Sequence, residues 1–111
     1  QILFESLDCI AANTQRQIEW GGNEKADLAF RALEFAGESG ELCEAVKKFL
    51  RKQRGIEGNT LSLEAIEDEM GDVIITLSLL ATDLGIDLDR TYRRKFNKTS
   101  AKYGFKTRMP E

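Results

Sequence analysis

Apolar residues recur along most of this chain at three- and four-residue intervals, the spacing that lines one side of an α-helix. Ile2, Leu3, Leu7, Ile10, Ala11 and Ile18 fall broadly on one side of a first amphipathic segment, Ile2 to Glu19. Trp20-Gly21-Gly22-Asn23 interrupts the pattern. It resumes from about Lys25 to Gln53, with Phe35, Leu42, Val46 and Phe49 as the apolar stripe. A polar, glycine-bearing stretch, Arg54 to Thr60, reads as a loop. Thr60 or Ser62 can cap a third helix, Leu63 to Leu84, whose stripe is Ile66, Val73, Leu77, Leu80 and Leu84. Gly85 ends it, Asp87 caps a fourth helix from Leu88 to about Tyr103, and a basic tail from Gly104 onward is expected to be extended. No run of alternating apolar residues with hairpin turns argues for a sheet. The pattern predicts an all-α, four-helix domain over residues 1–111, a length suited to one core and too short for two. Gly37, Gly40 and Gly71 lie inside predicted helices, where glycine costs about 1 kcal/mol against alanine; close helix packing is the expected reason for them.

The polar side of the pattern holds the candidate chemistry. Glu38-Ser-Gly-Glu41 and Glu69-Met-Gly-Asp72 each place two carboxylates three residues apart, on neighbouring positions of one helix face. On the helical wheel both pairs border the apolar stripe instead of opposing it. A solvated acidic face gives the same spacing in a chain with 19 acidic residues. Carboxylates beside a buried stripe are costly unless paired or metal-bound, however, and two antiparallel helices would bring all four together. Like charges at close range repel and raise one another's pKa, so the group calls for a cation. Mg²⁺ takes oxygen ligands and keeps waters for phosphate groups, with Mn²⁺ as a possible substitute. The expectation is a carboxylate cage acting on phosphate-ester or phosphoanhydride bonds.

Composition removes other chemistries. The chain has no histidine, which excludes Ser-His-Asp and Cys-His nucleophilic schemes and disfavours the usual zinc and Glu-x-x-His di-iron sites. Cys9 and Cys43 are expected to be reduced core thiols. A net charge of -3 argues against nucleic acid as a stable partner, although Lys47 to Arg54 and Arg90 to Arg108 are basic. No signal peptide or membrane span is recognisable, so a cytoplasmic location is the expectation.

The ordered motifs Gly37-Glu38-Ser39-Gly40-Glu41-Leu42 and Glu67-Asp68-Glu69-Met70-Gly71-Asp72-Val73, with residues 42–68 as spacer, resemble the MazG-like, all-α nucleoside triphosphate pyrophosphohydrolases. That superfamily includes all-α dUTPases, dCTP pyrophosphatases and phosphoribosyl-ATP pyrophosphohydrolases, and the resemblance runs from about Phe30 to Tyr103. It implies that Glu38, Glu41, Glu69 and Asp72 ligate Mg²⁺, and that the α–β bond of a (deoxy)nucleoside triphosphate is cut to monophosphate and pyrophosphate, as nucleotide-pool housecleaning. Glu41 is the choice for the carboxylate that takes the water's proton. The resemblance to dCTP pyrophosphatases aligns Lys95, Lys102 and Tyr103 with phosphate and sugar contacts; Thr99 stands where that pattern has asparagine, with Asn97 nearby. Helical spacing from Glu41 adds Lys48, and less strongly Lys52, as phosphate ligands. For the base, Trp20 offers a stacking platform, with Asn13, Arg16 and Gln17 on adjoining turns as hydrogen-bonding groups; Trp20 as a simple packing anchor is the alternative. Phe30, Phe35, Phe49 and Phe96 read as core, and Tyr92 as either. So short a chain gives a shallow pocket, so a homodimer or dimer of dimers is expected to complete the site. The competing functional readings are a phosphoribosyl-ATP pyrophosphohydrolase and a non-catalytic helical nucleotide-binding or adaptor module.

Overall fold

The computed structural model describes residues 9–111, and the side chains from Ala11 onward. Ile2, Leu3 and Leu7 of the expected first stripe, and the side chains of Cys9 and Ile10, lie outside the described residues. Those described form four α-helices and a short 3-10 turn, with no strands: α1 (Cys9–Glu19), the turn (Asn23–Lys25), α2 (Leu28–Arg54), α3 (Leu63–Asp83) and α4 (Leu88–Lys102). The protein is all-α, as the periodicity predicts.

Local chemistry sets the helix ends. The Asp27 side chain accepts from the Phe30 N–H, so α2 starts three residues later than its apolar spacing suggests. Ser62 caps α3 and Asp87 caps α4 in the same way. At the far end of α2, Gly55 adopts φ 66°, and both Gly55 and Ile56 donate back to the Arg51 carbonyl. That left-handed turn is one a residue with a Cβ resists. It reverses the chain so that α3 runs back along α2, and the longest interface of the fold is this α2–α3 hairpin.

Helix α1 packs on α3. Asn13 is buried there, 6% exposed, and donates from Nδ2 to Ser78 Oγ at 2.6 Å. Among the described residues, the buried apolar ones are Ala45 of α2 and Ile66, Leu79 and Ala81 of α3, and no large side chain is fully enclosed. Helix α4 meets the other described helices only marginally. The radius of gyration is 17.4 Å, against about 13 Å for a compact chain of this length.

Several expectations change. The tail does not stand free: Asn97 donates to the Met109 carbonyl and accepts from the Met109 N–H, and Arg93 donates to the Pro110 carbonyl, so the tail straps along α4. Cys43 is exposed, because its position faces away from the α2–α3 seam. Phe30 is half exposed, and Leu77 and Leu84 of the α3 stripe are also exposed. A Cβ built on Gly37, Gly40 or Gly71 meets nothing within 4 Å, so close packing does not explain these glycines.

Candidate metal centre and adjoining cleft

The hairpin brings the two acidic pairs to one level. Glu38 and Glu41 from α2 and Glu69 from α3 each offer a carboxylate oxygen, all within 4.8 Å of one another. Asp72 stands outside that group, one turn further along α3, and its charge helps raise the pKa of both Glu38 and Glu69. Partial burial is the first cause of the rise at Glu38, followed by the charge of Glu41, a hydrogen bond between the two carboxyls, and the charges of Asp72 and Glu69. Glu69 is pushed up by burial, then by Glu41, Asp72 and Asp68.

No basic side chain answers this charge. Among the described residues, the ion pairs involve Glu34, Glu44, Asp83 and Asp89, and none of the four carboxylates of the two pairs. The Oε2 atoms of Glu38 and Glu69 are out of solvent and have no hydrogen-bond partner. An unpaired carboxylate oxygen in that setting is unfavourable, and the donor set is entirely carboxylate oxygen, which suits a hard divalent cation. The residues present therefore fit a metal centre.

Beside this seam opens a cleft of about 490 Å³, and Glu38 and Asp72 form part of its wall. Trp20, 67% exposed, and Phe30 supply aromatic surface to it, and Arg16 and Lys25 supply positive charge. Its inner wall is Ile75, Thr76 and Leu79 of α3. Arg31 ties the walls together from beneath. Its guanidinium is almost wholly buried, donating to Glu34 at 2.9 Å, to Gln17 Oε1 at 2.9 Å and to Asn23 Oδ1 at 3.3 Å, with Nε 3.4 Å from Asp83. Asn23 in turn donates to the backbone carbonyls of Gln17 and Trp20, fixing the turn that carries the tryptophan.

The other sequence-predicted residues are distributed unevenly. Arg16, Gln17 and Trp20 line the cleft. Asn13 does not: its amide is committed to Ser78 inside the α1–α3 interface. Lys48 lies beside Glu44 at 3.9 Å, down α2 from the seam. Lys95, Lys102, Asn97 and Tyr103 are all on α4 or its end, outside the cleft. Asn97 holds the tail, the Lys102 ammonium sits 5.5 Å over the Tyr103 ring, and Tyr103 stacks on Phe105. Spacing along one helix could not reveal Lys25, Phe30, Arg31 or Glu34 as cleft residues. Their signal is that they cluster just before Glu38 around a glycine-bearing turn.

The profile of the MazG-like family matches residues 38–109, from the first carboxylate of the seam into the tail. The chain belongs to the MazG-like family. Over 77 residues it is also 32% identical to the Gene 37 protein of Mycobacterium phage L5, which covers 68% of this chain and 65% of that protein, just under two thirds of the relative's length. No solved structure matches it. Glu38, Glu41 and Glu69 of the acidic cluster all lie within the matched stretch. The MazG-like match begins at Glu38, so α1 and the Trp20 turn, which form one wall of the cleft, lie before the matched stretch. Among the described residues, no helix is long and apolar enough to cross a membrane.

Proposed function

We propose that this chain is a Mg²⁺-dependent nucleoside triphosphate pyrophosphohydrolase that releases a nucleoside monophosphate and pyrophosphate. The observation that carries the reading is the cation-free convergence of Glu38, Glu41 and Glu69, with two buried unpaired oxygens, at the edge of a cleft with aromatic and basic walls. Glu38, Glu41, Glu69 and Asp72 would hold the metal. Mg²⁺ bound there supplies the positive charge that a triphosphate and its attacking water require.

The chain's own groups divide the remaining work. Trp20 and Phe30 present ring faces against which a base can stack. Arg16 and Lys25 line the same cleft as Glu38 and Asp72, which the lysines of α4 do not, and are the better phosphate contacts. Glu41 is the more exposed member of the Glu38–Glu41 pair, and would be the carboxylate that takes the proton of the attacking water. Glu38 and Glu69, partly buried, hold charge in place. Without histidine, proton transfer falls to these carboxylates.

The test is pyrophosphate release from a panel of ribo- and deoxyribonucleoside triphosphates, with Mg²⁺ and with chelator. Metal-dependent appearance of pyrophosphate and monophosphate supports the reading and ranks the bases. Orthophosphate release would overturn the choice of bond. Inactivity of the folded protein throughout the panel would favour the non-catalytic nucleotide-binding module.

A further inference from the structure

Trp20 stands just past the end of α1, and the two residues after it are glycines, Gly22 with φ 84°. Such a backbone has much freedom to lose on folding and does not fix a ring by itself. The aromatic wall of the cleft therefore depends on what fastens the turn from outside. Gln17 and Asn23, three residues either side of Trp20, both accept from Nη2 of Arg31, at 2.9 Å and 3.3 Å. Asn23 passes the hold on, donating from Nδ2 to the Trp20 carbonyl at 2.9 Å and to the Gln17 carbonyl at 3.3 Å. One guanidinium thus clasps Trp20 on both sides.

The rest of that guanidinium belongs to the hairpin. Nη1 donates to Glu34 of α2 at 2.9 Å, and Nε lies 3.4 Å from Asp83 of α3, out of solvent and with no hydrogen bond of its own. Arg31 is 4% exposed, and a charge so buried is costly once it loses a partner. A planar fork with five donors can serve α1, the turn, α2 and α3 together, whereas a lysine ammonium brings three donors on a flexible stem. Arg31, Glu38 and Glu41 follow at spacings of seven and three residues along one face of α2. Arg31 is thereby set about 10 Å from Glu38 along the helix axis, clear of the metal ligands. Gln17, Asn23, Arg31 and Glu34 all precede the stretch that the MazG-like profile matches, so family membership assigns them no part.

We propose that Arg31 is the positioning residue of the cleft. By clamping the Trp20 turn to the α2–α3 hairpin, it holds the ring at a fixed place relative to the carboxylate seam. It thereby sets the affinity for the nucleotide, and neither the rate of bond cleavage nor the binding of the metal. Arg31 acts through Trp20 and through no contact of its own with base or phosphate. The proposal rests on the reading of the cleft as a nucleotide site.

The clamp is tested first by ¹⁵N relaxation of the full chain without metal or nucleotide. Amides from Trp20 to Lys25 are expected to have order parameters of about 0.85 in the wild type, and below about 0.6 in Arg31→Lys. Asn23→Asp, at a half-buried position, keeps an oxygen facing Arg31 and loses the donor to the Trp20 carbonyl. It is expected to loosen the same residues, and it decides the matter should Arg31→Lys not fold. Unchanged order parameters in a folded variant overturn the proposal. Pyrophosphate release then reads the consequence. Each variant is expected to raise KM about five- to a hundredfold, the range covered by loss of one base stack. The kcat should stay within about twofold, and the Mg²⁺ dependence should not move. Combined with Trp20→Ala, neither variant should add a further loss. A fall in kcat at constant KM overturns the proposal. So does full additivity with Trp20→Ala, which would place Arg31 against the nucleotide itself. A wild type that releases no pyrophosphate overturns the nucleotide reading and the affinity claim with it, whereas the clamp is decided by the order parameters.

Discussion

Glu38 and Glu44 lie on one helix, less than two turns apart, and their surroundings drive them in opposite directions. Glu44 has Lys47 at 3.0 Å and Lys48 at 3.9 Å, and that hydrogen-bonded lysine lowers its pKa. Glu38 has only partial burial and other carboxylates, which raise it. Lysines are thus present on the same helix and are placed next to the carboxylate that has least need of them. An acidic surface that exists only for solubility has no reason to segregate its cations in this way. The difference marks the α2–α3 seam as a place left open for a cation from outside the chain.

The sharpest way to break this comparison is catalytic. Glu38→Gln or Glu69→Gln is expected to reduce pyrophosphate release by about two to three orders of magnitude, whereas Glu44→Gln stays close to wild type. Equal losses at the two sites, measured as kcat/KM for the preferred triphosphate, would erase the distinction. The next effect is on stability. Mg²⁺ at one hundred times its dissociation constant is expected to add about 2.7 kcal/mol, a rise in Tm of roughly 10 °C for a domain of this size. Chelator reverses it and Glu41→Gln removes it. A Tm indifferent to Mg²⁺ would mean that the seam does not hold the ion.

Acid separates the two regions by sign. The folded chain binds protons at Glu38 and Glu69 more tightly than the unfolded chain, since both pKa values lie above the ordinary 4.5. Their contribution to stability is therefore complete below that value and is lost as pH rises through the raised ones. Glu44, held below 4.5, contributes above it and loses that contribution only as pH falls further. Metal-free protein is expected to gain Tm as pH is lowered from neutrality towards 4.5, and saturating Mg²⁺ should cancel the gain. A metal-free Tm that falls over this range would contradict the raised values. The smallest effect concerns the backbone between the ligands. Gly40→Ala leaves every carboxylate in place in open space and is expected to stabilise α2 by about 1 kcal/mol in urea unfolding. A loss of activity there would show that the seam needs the glycine as well as its charges.

What could be read from the chain follows the range of the interaction. Ser62, Asp87 and Gly55 act on atoms three or four residues away, so the sequence indicates both them and the helices they bound. The acidic pairs are legible for a similar reason, because spacing and the neighbouring stripe fix their face. Asn13 is different: its partner Ser78 is 65 residues away, and a polar residue near Trp20 gives no sign of turning inward. Arg31 is equally opaque, because its role depends on Gln17, Asn23 and Asp83, which only the folded chain brings around it. The basic composition of the tail carries no trace of the Asn97 clamp. The exposed sides of α2 and α3 misled in the other direction, since periodicity reports that a face is apolar without saying what covers it.

All four carboxylates of the seam sit on one hairpin, between residues 38 and 72, while Trp20 and Lys25 of the cleft lie between α1 and α2. Inheritance can therefore treat them separately. On the proposed function, mutations around Trp20 and Lys25 would retune which nucleotide is accepted without touching the carboxylates, and the hairpin could pass intact into a different setting. Reaction and taste would then be written in different stretches of the gene, an arrangement that would let one chemistry diversify across many substrates.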